Sequence, residues 1–283
     1  MNKTISIMAA MLPLLFTSCN NDDANVTTYP QEEHAVTLGA AITRTGDDTQ
    51  PFADGDTIRI TNVTRRDLGL HNNYAMFIYS TANNGSWTAV SKLLWCEGAA
   101  NTFQAVYPRT AGYSSFTVPA DQSTEQKLRS ADWMTGENTV TQSNSADDSP
   151  VDITLTRKMA MVVVNATHRQ SWGATPSAIF VLPQNVQAQN LNSETLALVT
   201  ANADGSNTFM AIIPTGSIAS GNTFCTINDG SVDIVRNIPD NFPGFEAGKK
   251  YTFTLVIDNS GGQPAPTRSA STNCLTLVSV EPM

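Results

Sequence analysis

Apolar side chains recur at every second position along much of this chain. Tyr251, Phe253, Leu255 and Ile257 share one face, with Thr252, Thr254 and Asp258 on the other. Ile58 and Ile60 alternate with Thr57, Arg59 and Thr61. Successive side chains of an extended chain point to opposite faces, so a period of two predicts half-buried strands. Phe209, Ala211 and Ile213 alternate with Met210 and Ile212, which predicts a strand apolar on both faces. Val151, Ile153 and Leu155 lead into Met159-Ala160-Met161-Val162-Val163-Val164, a second such strand. Turn signals separate the runs: Asn84-Gly85, Asp204-Gly205, Asp229-Gly230, Pro243-Gly244 and Gly261-Gly262. Helical periodicity is weak, with one candidate over residues 125–134. Many short strands with frequent turns predict an all-β chain of sandwich architecture.

The first residues break this pattern. Lys3 precedes an apolar run over residues 5–16, followed by Thr17-Ser18-Cys19 and the polar string Asn20-Asn21-Asp22-Asp23. A basic start, a short apolar core and small residues before a cleavage point predict a secretory signal. The run is too short to span a bilayer, which takes ~20 residues. A cysteine directly after the small pair is the acceptor position of a bacterial lipoprotein signal. Cleavage would leave Cys19 as a lipidated N-terminus, and several acyl chains hold a protein on a membrane where one does not. The expected organisation is a signal peptide over residues 1–18 and a tether over 19–33. Domains are expected over 34–149 and 150–283, divided at the polar stretch 137–150.

Composition narrows the function. Hydrophobic content of 41% lies in the globular range, while 14% charged is low against a usual ~25%. Thr, Ser and Asn fill the deficit and suit strands and turns. A net charge of −9 argues against nucleic acid as a partner. Besides Cys19 only Cys96, Cys225 and Cys274 remain, too few for a disulfide framework. The three histidines, His34, His71 and His168, show no metal-ligand spacing. No Gly-x-Ser-x-Gly elbow, Cys-x-x-Cys pair or phosphate-cradling glycine loop occurs. Asp204-Gly205-Ser206-Asn207 lacks the alternating carboxylates of a calcium loop and reads as a hairpin turn. The sequence therefore predicts no catalysis, no metal and no cofactor. Trp87, Trp95, Trp133 and Trp172 read as core or interface filler, with sugar stacking as the rival use.

Four segments in order carry a family resemblance. They are Thr43-Arg44-Thr45 with Phe52-Ala53-Asp54-Gly55-Asp56; Phe103-Gln104-Ala105-Val106-Tyr107-Pro108 with Ser130-Ala131-Asp132-Trp133-Met134; Ala211-Ile212-Ile213-Pro214; and Phe245-Glu246-Ala247-Gly248-Lys249-Lys250-Tyr251. Behind a lipoprotein signal, this set resembles the fimbrillin family, the type V pilins of gut and oral anaerobes. Arg157-Lys158-Met159-Ala160 departs from the family, which often has a histidine shortly before the buried strand. Pro214-Thr215 departs from a common Pro-Gln.

The resemblance implies two tandem transthyretin-like Greek-key β-sandwich domains and export to the outer membrane as a lipid-anchored precursor. It also implies proteolysis after an arginine, which removes a first strand so that the groove accepts a strand from another fimbrial subunit. Here the cut would fall between Arg44 and Thr45, and the removable strand would carry Val36, Leu38, Ala40 and Ile42. The candidate donor strand is the last apolar run, with Leu275, Leu277, Val278 and Val280, behind the Gly- and Pro-rich stretch 259–273. The alternative is a tip adhesin or a non-polymerising glycan-binding surface lipoprotein, with a host protein or glycan as ligand. Cys19→Ala is expected to release the protein from membranes or stall its processing. Unchanged membrane fractionation and lipid labelling would overturn that expectation.

Overall fold

Alternation becomes pairing in the computed structural model, which describes residues 34–44, 52–82, 85–96, 98–141, 150–185, 193–257 and 275–283. The first half holds β1 (Leu38–Arg44), β2 (Thr57–Asn62), α1 (Val63–Asp67), β3 (Tyr74–Ser80), β4 (Ser86–Ala89), β5 (Ala100–Tyr107), α2 (Glu125–Ser130), β6 (Met134–Thr141) and β7 (Val151–Arg157). Its strands form a seven-stranded sheet in the order β1-β7-β6-β5-β2-β3-β4. β1 and β4, at opposite ends of that order, approach one another, so the sheet curls round a core. Ile58, Ile60, Phe77, Trp95, Phe103, Val151, Ile153 and Leu155 fill it. Gly136 permits the close approach of β6 to β7, because a Cβ there would collide with the Thr154 carbonyl oxygen.

The second half comprises β8 (Met159–His168), β9 (Ser177–Val181), β10 (Glu194–Leu196), β11 (Leu198–Ala201), β12 (Asn207–Pro214), β13 (Thr223–Asn228), β14 (Asp233–Asn237), β15 (Lys249–Ile257) and β16 (Thr276–Pro282). Two sheets, β10-β9-β13-β14 and β11-β12-β8-β15-β16, face each other over a common core. Phe224 of the first and Phe253 of the second meet with ring centroids 5.8 Å apart. β8 is central, antiparallel to β12 and parallel to β15, and its Met159–Val162 run is buried on both faces as the pattern predicts. Asp204 and Gly205 form the turn between β11 and β12, with Gly205 at φ 82°.

Two expectations shift. The polar stretch 137–150 does not separate the halves. β7 pairs with β6 and β1, and its buried side chains belong to the first core, so the strand expected to open the second domain closes the first. Residues 137–141 of the polar stretch belong to β6 itself, so the stretch lies between neighbours in one sheet. The helix expected over 125–134 is shorter, ending at Ser130 where Ala131 caps it, and Met134 already belongs to β6. Among the described residues no helix is long and apolar enough to cross a membrane.

Residues 108–133, between β5 and β6, unite the halves. Ala111, Phe116, Val118, Leu128, Ala131 and Trp133 of this crossover belong to the second core. The backbone of Ala120 and Gln122 pairs with Leu196: Leu196 N–H donates to Ala120 O at 2.9 Å and Gln122 N–H to Leu196 O at 2.8 Å. Beyond the end of the β11 ladder, the Gln122 side chain takes the place of a neighbouring strand. Its Nε2 donates to Ile212 O and its Oε1 accepts from Ile212 N–H, both at 2.8 Å, with Gln122 fully buried. Residues 32–283 consequently form one compact unit. Gln122→Ala would leave both Ile212 backbone groups buried and unpaired, at about 1–3 kcal/mol each. The expected loss is roughly 2–6 kcal/mol of unfolding free energy in a urea titration.

Candidate functional site

The two strands that the sequence singles out lie at sheet edges. The N-terminal segment is held on both sides. Val36 N–H donates to Leu93 O at 2.7 Å and Trp95 N–H to His34 O at 3.0 Å, around an antiparallel bridge of Ala35 with Leu94. β1 then runs parallel to β7, pairing Leu38 with Val151 and, past a register shift, Ile42 with Ile153 through Arg44 with Leu155, and Val151 N–H donates to Thr37 O. Val36 is buried in the first core and Leu38 packs against it. Alongside lies a groove of about 290 Å³, lined by Ala35, Val36, Val90, Lys92 and Leu93 among others. Cys19 and Thr45, and the side chains of Ala40, Ile42 and Arg44, lie outside the described residues.

β16 is the edge strand of the five-stranded sheet, antiparallel to β15. Leu275 is buried and Leu277 half-buried against the second core, whereas Val278 and Val280 are 60% and 48% exposed. β16 is therefore anchored at its start and lightly packed along its length. A Lys250–Glu281 pair at 2.8 Å adds an exposed link to β15 and holds the Glu281 carboxyl below its usual range. Exposed pairs contribute little to stability.

The end of β16 reaches a buried ionic site that the sequence reading left out. Met283 is fully buried, and its N–H donates to Gly248 O at 2.8 Å. Its carbonyl oxygen accepts from Arg157 Nη1 at 2.7 Å. Arg157 ends β7, continuing the inward phase of Val151, Ile153 and Leu155, and its side chain is wholly buried. Its Nε donates to Asp132 Oδ2 at 3.1 Å, and Asp132 comes from the crossover. One guanidinium thus joins the first sheet, the crossover and the last strand. The signal was in the sequence: the period-two phase of β7 places residue 157 inside.

Other candidate groups serve the fold. Trp95 and Trp133 are buried. Trp87 is half-buried against Phe52 and Tyr79, and Trp172 against His168 and Phe209. His168 Nδ1 accepts from Gln170 N–H, so Nε2 carries the proton facing Asp229 Oδ2 at 3.3 Å. Asp229 also accepts from the N–H groups of Val232 and Ser231, which with His168 hold its carboxyl below the usual range. This pair ties the end of β8 to the turn between β13 and β14. A hydroxyl-rich depression of about 330 Å³ lies in the crossover at Thr110, Ser115 and Thr117. Among the described residues no group of three His, Cys, Asp or Glu side chains is placed to hold a metal.

A family model described as fimbrillin-like matches residues 43–275. Comparison with curated protein sequences finds no match. Among solved structures the chain is similar to a proposed cell adhesion protein of Bacteroides ovatus, with TM-score 0.60 and 13% identity over 89% of this chain and 98% of that one. A proposed cell adhesion protein of Bacteroides uniformis gives TM-score 0.56 and 17% identity, covering 88% and 97% of the two chains. One from Bacteroides fragilis gives 0.52 and 13%, covering 86% and 93%. At these identities the likeness shows a shared fold.

Cys96 and Cys225 are free and buried, and Cys274 lies outside the described residues. Burial pushes both thiols up, the nearby Arg65 opposing it at Cys96, and Cys225 is pushed up to about 12. A thiol with that value is ionised in only about one molecule in ten thousand at pH 8. Cys225 is therefore expected to resist iodoacetamide at pH 8 in the native protein and to react fully in guanidinium. Rapid native labelling of Cys225, read by mass spectrometry of its peptide, would contradict this.

Proposed function

The chain belongs to the fimbrillin-like family, and on that premise we propose a subunit that assembles by exchanging strands. The coarse role follows from membership: a structural, non-catalytic fimbrial protein of the cell surface. In the finer reading, the precursor is exported as a lipoprotein anchored through Cys19. Cleavage between Arg44 and Thr45 then removes the first strand.

The observation that carries this reading is the seat of residues 34–44. Their loss would leave the β7 edge, Leu93 O and Trp95 N–H without partners, and would uncover the core face beneath Val36 and Leu38. Buried backbone groups do not stay unpaired, and an open sheet edge over an apolar slot is a template for an incoming strand. Strand addition of this kind supplies backbone hydrogen bonds for affinity and side-chain pockets for specificity. At ~3.3 Å per residue, a segment matching residues 34–44 spans about 36 Å. β16 of another subunit is the proposed donor. Its exposed Val278 and Val280 alternate with a half-buried Ser279, and it leaves only one neighbour, β15, when it departs.

A second reading is a terminal subunit that accepts a strand and donates none. The burial of Leu275 and Met283 in their own half favours it. Either way the precursor is cut, so the N-terminal residue of the mature surface protein tests the shared step. Thr45 is expected. A mature protein that begins at lipidated Cys19 would overturn strand exchange and leave a non-polymerising surface lipoprotein.

A further inference from the structure

β16 is fixed at its two ends and lightly packed between them. Leu275 is buried at the start, where its N–H donates to Asn237 O at 3.3 Å. At the other end Met283 is buried, with its N–H on Gly248 O and its carbonyl oxygen on Arg157 Nη1. Between them, residues 276, 278 and 280–282 are exposed. A strand of this kind opens where its buried anchors let go, because exposed edge pairing alone supplies little protection.

We infer that Arg157 is a positioning residue that latches β16 into its own half. The latch rests on the strand-exchange reading for its purpose, though not for its geometry. The guanidinium reaches Met283 O at 2.7 Å and Asp132 Oδ2 at 3.1 Å from a side chain with no solvent exposure. Asp132 orients the fork and supplies the negative charge that makes a buried arginine tolerable. Met283 is held by that fork and by Gly248, whose own N–H donates to Met159 O at 2.8 Å. The tether therefore connects the last strand to β7 and to the entry of β8. A β16 that leaves its sheet must first take its carbonyl from Arg157, while the Asp132–Arg157 pair stays satisfied. Release of the strand thus gives up, besides the β15 ladder and the Leu275 anchor, the Met283 N–H bond to Gly248 O, this charge-assisted hydrogen bond and the Met283 side-chain burial, and the junction between the halves survives. The arrangement makes β16 separable from the core it completes.

The test is amide hydrogen exchange on the full chain, followed peptide by peptide. The double variant Asp132→Asn/Arg157→Met removes both buried charges together, so neither is stranded. Exchange in peptides over 276–283 should rise at least tenfold, with β8 and β12 changing less than threefold. Unchanged β16 exchange in the double variant, or a rise shared equally by β8 and β12, overturns the latch. If the double variant does not fold, Met283→Gly loses the buried side chain at the same anchor and is judged by the same outcomes. A second arm adds an arginine-specific protease to the full chain and follows SDS-resistant oligomers, expected to form at least tenfold faster in the unlatched variant. Faster β16 exchange without oligomers would uphold the latch and defeat strand exchange.

Discussion

A sheet that buries its faces must also find partners for the backbone groups along its edges, and this requirement organises the whole molecule. Apolar alternation buries one or both faces of nearly every strand, which leaves edge N–H and C=O groups close to dry surroundings. The protein meets the demand with different devices at different edges. Residues 34–36 pair with residues 93–95, and β1 covers β7. The Gln122 amide stands in for a peptide unit beside Ile212. β16 covers β15. Gln122 comes from a long crossover, whereas the strands at the two ends of the described chain are themselves edge strands.

The crossover explains why two cores behave as one unit. Six of its apolar residues, including Leu128 and Trp133, lie in the core of the other half. Separation of the halves would therefore expose apolar surface as well as break hydrogen bonds. At the same junction Arg157 and Asp132 form a buried ion pair. Such pairs seldom add net stability over apolar packing, yet removing one partner costs about 3–5 kcal/mol. Here one guanidinium links the first sheet, the crossover and the end of β16.

That arrangement suits a subunit whose parts are to be exchanged. Edge strands lie at both ends of the described chain, and the proposed exchange would vacate the seat of one and move the other. Trp95 and Trp133 are buried in the cores, and the His168–Asp229 pair ties the end of β8 to a turn. Arg157 ends β7 just before the buried strand β8, and it is the hub of the junction.

The sequence alone determined where strands form, because burial of alternate side chains is a local property of the extended backbone. The patterns at Ile58 and Ile60, at 151–155, at 159–164, at 209–213 and at 251–257 all appear as strands with the expected faces inward. It also placed both edge strands in residue order. Tertiary structure decided which strands are neighbours. β7 could close the first sheet or open the second with the same alternation, and only its ladder to β6 and β1 selects the first. The crossover's allegiance to the far core, Gln122 as a surrogate strand and the meeting of Arg157, Asp132 and Met283 were likewise beyond local reading. Each joins residues from 25 to 126 positions apart. Period two states which way a side chain points, and only the closed sheets state what it meets.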